Sequence, residues 1–587
     1  MDEHDARLPQ LLRLRKALYS PQLREFISAV TGCGALSERV DCSCNLYVRG
    51  SHLLCHDDVI GTRRVSYIVY LAEPDEGWAA PDGGALELYP LARLGVPGEP
   101  AVYPSAALLP QWNSMALFTV APGVSFHSVQ EVFNDSKLRL SISGWYHAAG
   151  QPQDMALASL NQLQTRGLDD VGAGPFTRVP LLLPPSVEDT PDHGDVALTS
   201  EQLDPPELTA EEQALLASWI SPEYLSPEGQ VGVAQQFIRD SSVALRSFLL
   251  PHRFAAIAAA AAEADTADGL GRGAPPPAYT AGHVPGWSPV GPPHKQRFLA
   301  FTGAQAAGDG PHVRAGAALE AVRVQLLGSP AFAKLLWRLT ALRVTHWRGL
   351  ARRFRPGLDY TVAHFGVLTG QESRLDASLC CVVDSQEVDA AAWRSGDVGG
   401  FECYLQAEET ADGTPLPAAD VYKARDQQKE DEEVDKDDLL SVHAAANTLS
   451  LVHRCVGGGA WPVPTRKRAR TLPNRCCSRA FARRLSVCLV SKSIHQPGTY
   501  AGCVRVTRCG AVGTQFRVQT RLPWPHTHTA GPPLRDEGIF RFVRYVSASA
   551  PSSRWDVSAE YAIIVPDDIG PDEEEEEGGE GEGGAED

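Results

Sequence analysis

Residues 52–72 read HLLCHDDVIGTRRVSYIVYLA, and residues 112–147 read WNSMALFTVAPGVSFHSVQEVFNDSKLRLSISGWYH. Both stretches are built from short runs of alternating or β-branched apolar residues separated by turn residues, the pattern of β-strands joined by tight connections. NLYV, RVSYIVYLA, ALELYPL, SMALFTV and RLSISGWYH mark strands between about 41 and 148, with Asp82-Gly83-Gly84 as a turn between two of them. Many short strands with short turns predict a double-sheet antiparallel jelly roll.

Outward from that region, Leu11, Leu12, Leu14 and Leu18, then Leu23, Phe26, Ile27 and Val30, recur at helical spacing over 8–32. Ser20-Pro21 supplies an N-cap followed by proline at the first helical position, so two helices are predicted. Residues 150–207 are polar and proline-rich and read as a linker. Thr209 to Glu212 forms a capping box and opens a helical region. The Ala-, Gly- and Pro-rich stretch 262–318 reads as a loop, and 319–346 reads as helical again.

Beyond that point the chain repeats itself. GGALELY at 83–89 is echoed by GGFECYL at 399–405, WNSMALFTV at 112–120 by ANTLSLVHR at 446–454, and RLSISGWYH at 139–147 by RWDVSAEYA at 554–562. The same pieces in the same order predict a second jelly roll. Asn113 to Arg139 is 26 positions, whereas Asn447 to Arg554 is 107. Roughly 455–536 is therefore read as an insertion: from Thr465 to Gly510 it is rich in Arg and has no Asp or Glu. A retained intron accounts for it, with a basic arm or nuclear signal at Arg466-Lys467-Arg468 as the other reading.

The chain has 587 residues, a formal net charge of -19 and 13 cysteines. Much of the negative charge lies in 426–438 and in an acidic tail, 567–587, runs expected to be solvated. That balance argues against direct nucleic-acid binding. No run is long and apolar enough for a membrane helix, and the acidic start is no secretory signal. Cys42/Cys44, Cys380/Cys381 and Cys476/Cys477 do not form a disulfide framework, so a reducing compartment, cytoplasmic or nuclear, is expected.

His56-Asp57-Asp58 is followed by His127, 69 positions after Asp58. Two imidazoles and one carboxylate on one face of a metal, with the other face open, suit Fe(II) that must bind a co-substrate and O2 together. In isolation an H-x-D pair is better read as a surface His-Asp pair beside a satisfied core histidine, and it is the context that shifts the reading. Arg139 lies 12 positions after His127 in LRLSISGW, sharing a strand face with Ser141 and Ser143 opposite Leu138, Leu140 and Ile142. An arginine inside a small barrel needs an anion, either one end of a dicarboxylate or an internal acid. Tyr70, in the strand after the H-x-D, could add a hydroxyl to that carboxylate or simply pack.

LLCHDD, RRVSYIVYL, GGALELY, PQWNSMALFTV, VSFHSVQEV and RLSISGWYH, with RRFRPGLDYTVAHF, GGFECYL and FRFVRYVSASAPSSRWDVSAEY later, together resemble the ribosomal prolyl 3-hydroxylases. The likeness covers most of 8–148, parts of 205–450, and 538–565. It implies a mainly β fold with flanking helices: two tandem double-stranded β-helix (jelly-roll, cupin-like) domains, the second degenerate. The implied division is 1–150 catalytic, 151–207 linker, 208–454 plus 537–566 non-catalytic. It implies Fe(II) on His56, Asp58 and His127, 2-oxoglutarate held by Arg139 with Tyr70, O2, and L-ascorbate to keep the iron reduced. The implied substrate is a prolyl residue of a small-subunit ribosomal protein, hydroxylated at C3, with effects on translation. An inactive scaffold in translation or stress regulation, or an oxygenase with another substrate, are the competing readings. The echo of His56 falls near His364, before Phe365-Gly366, and that of His127 near Tyr545, so no iron is expected in the second roll. The family carries a longer segment before its first helix, so truncation at the N-terminus is expected here.

Overall fold

The structure, a computed structural model, describes residues 8–94, 96, 98–150, 174–179, 207–275, 277–362, 373–384, 386–406, 438–454 and 539–564. The insertion 455–536, the tail 567–587, His364, and nearly all of the linker and of the 426–438 acidic run lie outside the described residues. Among the described residues no helix is long and apolar enough to cross a membrane, and seven cysteines, Cys33 to Cys403, are free thiols.

Two helices come first, α1 (Pro9–Leu18) and α2 (Pro21–Thr31). Ser20 caps α2 through its hydroxyl, and Gly32 ends it in the left-handed conformation at φ 64°. Nine strands follow: β1 (Leu36–Val40), β2 (Ser43–Tyr47), β3 (Leu53–His56), β4 (Arg63–Tyr70), β5 (Leu86–Leu88), β6 (Ala106–Leu108), β7 (Ser114–Thr119), β8 (His127–Val129) and β9 (Arg139–Ala148). They form two antiparallel sheets, β1-β9-β4-β7 with β2 also on β9, and β3-β8-β5-β6. The first sheet has two chemically different faces because side chains alternate along a strand. Val65, Tyr67, Ile142 and Tyr146 bury one face beneath Leu18 and Ile27 of the two helices. Ser66, Tyr70, Arg139 and Ser141, all buried, belong to the other.

The second part contains β10 (Thr177–Arg178), β11 (Ser242–Leu245), β12 (Trp287–Val290), β13 (Gln296–Phe301), β14 (Arg343–Phe354), β15 (Tyr360–Thr361), β16 (Arg374–Cys381), β17 (Glu402–Gln406), β18 (Asp438–Val442), β19 (Thr448–Arg454), β20 (Ile539–Val543) and β21 (Arg554–Ile564). Its large sheet runs β11-β19-β16-β21-β14-β13-β12, and β18-β17-β20 forms a smaller one. Helices Ala210–Ala217, Pro227–Asp240, Pro251–Ala267, Pro311–Ala321 and Pro330–Thr340 contribute Leu216, Phe237, Ile257, Leu319 and Phe332 to one core with Leu379, Leu449, Val557 and Tyr561 of the large sheet. The capping box at Thr209 is formed: its side chain accepts from the Glu212 backbone, and Glu212 accepts from the Thr209 backbone.

Two expectations need correction. The stretch 262–318 is not a loop. It holds the end of the helix Pro251–Ala267, strands β12 and β13, and most of the helix Pro311–Ala321. The run AAIAAAAAEADTA is mostly alanine, the residue of highest intrinsic helix propensity, which the nearby Gly and Pro residues obscured. Residues 319–346 are not helical throughout. Ala341 takes a left-handed conformation at φ 60° and ends the helix Pro330–Thr340. The chain then enters β14, where Val344 and Thr345 suit a strand buried at the centre of the large sheet.

The echoes seen in sequence recur as register. Tyr70 faces Ser114 on β7 and Ser141 on β9. Cys380 faces Thr448 on β19 and Asp556 on β21. Asn113 and Asn447, just before β7 and β19, share left-handed backbones at φ 54° and 48°. Gly83-Gly84 and Gly399-Gly400 all have φ between 66° and 73°. A Cβ on Gly83 would meet the Glu131 carbonyl, and one on Gly399 the Tyr545 carbonyl, so neither site admits a side chain.

Candidate iron and co-substrate site

His56 ends β3 and His127 begins β8, and the two strands pair with these residues directly opposite each other. Their rings lie 4.2 Å apart. Asp58 is not on the strand: it lies two residues beyond β3 in the left-handed conformation, φ 62°. Strand alternation is therefore not what brings its carboxylate to the histidines. A turn that aspartate tolerates better than most residues does so. His56 Nε2 and His127 Nε2 each face one Asp58 oxygen at 3.4 Å. Among the described residues these three side chains are the one group placed to hold a metal ion, with ligand atoms within 4.8 Å of one another.

The surroundings prepare the donors. His56 Nδ1 is bound to the Leu54 carbonyl and His127 Nδ1 to the Ser125 carbonyl, both at 2.8 Å. With Nδ1 so engaged, each Nε2 is left to present a lone pair. Ser66 donates to Asp58 Oδ2 at 2.6 Å and fixes the carboxylate. Burial alone would raise the Asp58 carboxyl, but hydrogen bonds and charge from His127 and His56 outweigh it and hold the group well below the usual carboxylate range. Burial likewise pushes the His56 imidazole down, and Asp58 more than reverses this. The middle residue Asp57 accepts from the Gly123 backbone, and Ser125 donates to its carbonyl, which ties the turn to the loop before His127. Phe118 meets the His127 ring edge-on at 4.6 Å, and Arg63 lies 3.4 Å over the Trp145 ring and 3.9 Å from Asp58.

Arg139 and Tyr70 share the polar face of the sheet with Ser66. Arg139 Nε donates to the Gly84 carbonyl at 2.7 Å, and its guanidinium lies 4.7 Å from the Tyr47 ring and 5.3 Å from the Tyr70 ring. Only 1% of Arg139 and 2% of Tyr70 is exposed, yet Arg139 Nη2 and the Tyr70 hydroxyl have no hydrogen-bond partner. Burial lowers the affinity of Arg139 for its proton, and the groups that act against this are the Tyr70 and Tyr47 hydroxyls rather than a carboxylate. Two buried donors without acceptors, one of them cationic, fit an anionic ligand, because leaving such groups dry is costly. Gly84 is part of this arrangement: a Cβ there would lie 2.8 Å from Arg139 Cδ.

Sequence reasoning missed Ser66, Asp57, Gly84 and Tyr47. Ser66 was within reach, since it shares a face with Tyr70 by simple alternation. The others depend on pairings between distant segments.

The corresponding positions of the second unit differ. Leu88 faces His127 across β5 and β8, and Tyr404 faces Arg541 across β17 and β20. The position matching His127 is therefore Arg541, not Tyr545, which sits four residues on. Echo counting failed because the loops between the strands differ in length. Arg554 takes the place of Arg139 and donates to the Gly400 carbonyl as Arg139 does to Gly84. Unlike Arg139 it meets internal acids: Glu402 at 2.6 Å and Asp556 at 2.9 Å.

Comparison with known proteins places these features in context. A family model of the 2OG-Fe(II) oxygenase superfamily matches residues 42–147, and a model described as oxoglutarate and iron-dependent oxygenase degradation C-term matches 211–458 and 533–568. The prolyl 3,4-dihydroxylase OGFOD1 of Ostreococcus tauri is 38% identical over 455 residues, 77% of this chain and 79% of that relative. The prolyl 3-hydroxylase OGFOD1 of Xenopus laevis is 36% identical over 42% of this chain and 38% of the relative. The Mus musculus prolyl 3-hydroxylase OGFOD1 is 29% identical over 44% and 38%.

Proposed function

This chain belongs to the prolyl 3-hydroxylase family of 2-oxoglutarate- and Fe(II)-dependent oxygenases, and on that footing we propose that it hydroxylates a prolyl residue of a small-subunit ribosomal protein, in the cytoplasm or nucleus. His56, Asp58 and His127 hold the ferrous ion, and Arg139 with Tyr70 holds the far carboxylate of 2-oxoglutarate. The observation that carries this reading is the pair of buried, unpartnered donors on Arg139 and Tyr70, in the same sheet face as the serine that fixes Asp58.

Bound there, Fe(II) with 2-oxoglutarate and O2 supplies the oxidation of an unactivated C–H bond, with release of succinate and CO2. The residues of the chain do the rest. His56, Asp58 and His127 would hold the ion with three donors, and its remaining positions would be free for the co-substrates. Ser66 and the two backbone carbonyls on the imidazoles hold the ligands in orientation. Arg139 and Tyr70 give a planar fork and a hydroxyl to one carboxylate, which fixes the co-substrate's register. Phe118 packs on the His127 ring and the Arg63–Trp145 pair lies beside Asp58, limiting water around those two groups.

We assign catalysis to residues 1–150 and a non-catalytic role to 208–454 with 537–566. The matched register of the two units, with Arg541 where His127 stands and internal acids on Arg554, supports that division.

The test is turnover of a proline-bearing ribosomal peptide with Fe(II), 2-oxoglutarate and ascorbate. Succinate and a product carrying one additional oxygen are expected, with no oxygen gained by the proline-to-alanine peptide. Asp58→Ala should abolish succinate formation, and equal yields from wild type and Asp58→Ala would sink the iron assignment.

A further inference from the structure

The back of the strand that carries His127 is held by the second half of the chain. β8 is only three residues long, and it pairs with β5 so that Ser128 faces Glu87. Ser128 donates to Glu87 Oε2 at 2.7 Å, and Tyr279 donates to the same oxygen at 2.7 Å. The Tyr89 and Ser128 hydroxyls lie 3.2 Å apart, and Arg297 Nη1 donates to the Tyr89 hydroxyl at 3.0 Å. Arg297 is anchored in its own unit by the Leu358 carbonyl at 2.9 and 2.6 Å and by Asp359 at 3.7 Å. Its guanidinium also lies 4.7 Å from the Tyr279 ring. Glu87, Tyr89, Ser128 and Arg297 are all buried.

A buried carboxylate and a buried guanidinium are costly unless each is fully engaged. Here they are engaged through one another's neighbours, by one path through Tyr279 and by another through Tyr89 and Ser128, the residue after His127. β8 is short and is held by backbone pairing to β3 on one edge and β5 on the other, and the groups bonded to its side chains add to what sets its position.

We propose that Arg297 and Tyr279 are positioning residues for the iron site, acting on His127 through Glu87, Tyr89 and Ser128. The second unit thereby sets metal affinity without contributing a ligand. The inference rests on the assignment of His127 as an iron ligand.

The experiment measures Mn(II) binding to the full chain by electron paramagnetic resonance titration, alongside 2-oxoglutarate KM at saturating iron. Tyr279→Phe keeps the ring and removes one hydrogen bond. It should weaken Mn(II) binding several-fold, leave the 2-oxoglutarate KM unchanged and leave the unfolding midpoint close to wild type. Arg297→Gln should weaken Mn(II) binding further, and Arg297→Lys should recover part of the loss. If Arg297→Gln does not fold, Tyr279→Phe and Arg297→Lys still decide the matter. Unchanged Mn(II) affinity in both would overturn the positioning role. Wild-type and His127→Ala chains that bind Mn(II) equally would instead overturn the metal-site assignment itself, and this inference with it.

Discussion

Arg139 shows how much one side chain can reveal. It is buried, it is satisfied on Nε by a backbone carbonyl, and it keeps Nη2 without an acceptor. Charge-assisted bonds of this kind contribute about 1.5–3 kcal/mol each. Arg139→Ala should therefore raise the 2-oxoglutarate KM roughly a hundredfold, since about 1.4 kcal/mol is a factor of ten. The iron requirement should stay close to wild type, and steady-state kinetics that show equal effects on both would count against the role. Gly84 carries a second prediction. At φ 66° and with Arg139 Cδ 2.8 Å from its would-be Cβ, Gly84→Ala must both strain the backbone and displace the arginine. Left-handed strain alone costs about 1–2 kcal/mol. The expected outcome is a 2-oxoglutarate KM raised about tenfold, measured against unchanged Mn(II) binding.

At the scale of elements, β9 and β21 are the same strand used twice. Both begin with an arginine that donates to the second glycine of a Gly-Gly turn. In β21 the alternate position is Asp556 where β9 has Ser141, and β17 brings Glu402 to the register position of Leu86. Glu402 accepts from Arg541 and Arg554 and lies 3.7 Å from Arg352. Burial would raise its carboxyl, but the three guanidiniums hold it far below the usual range. The second unit thus closes on itself the cationic position that the first leaves open. Removing one partner of such a buried pair costs about 3–5 kcal/mol. Glu402→Gln should lower the urea midpoint accordingly, with co-substrate KM unaffected. A loss within the range of an ordinary surface substitution would show that the network contributes little.

For the whole molecule, the seam between the two halves is polar and buried. Glu131 accepts from Ser547 and from the Ala548 backbone, His52 stacks on Tyr545 at 3.9 Å, and Phe126 stacks on His294 at 4.9 Å. Binding at His56, Asp58 and His127 should therefore stabilise more than the first sheet pair. A ligand at a hundredfold over its Kd contributes about 2.7 kcal/mol to a chain that unfolds as one unit. Added Mn(II) should raise the unfolding temperature of the wild type in a single transition and leave His127→Ala unmoved. Two separate transitions, only one of them shifted by metal, would show that the halves unfold independently.

The sequence by itself determined the two α-helices at the start, the strands of the first half, and the candidate donors, because these follow from local rules: alternation, caps, and the chemistry of His, Asp and Arg. It also disclosed the repeat, since Gly-Gly and Asn positions with left-handed backbones allow few substitutes. It misread 262–318, where composition pointed to a loop and helix propensity with burial prevailed. Only the tertiary structure decided that Arg541 rather than Tyr545 stands where His127 does, that Asp58 reaches the histidines through a turn, and that Arg297 lies behind His127's strand. Those facts depend on a local turn geometry, on register and on contacts between residues from about seventy to more than two hundred positions apart, and such pairings are set by how whole sheets pack, not by any window of sequence.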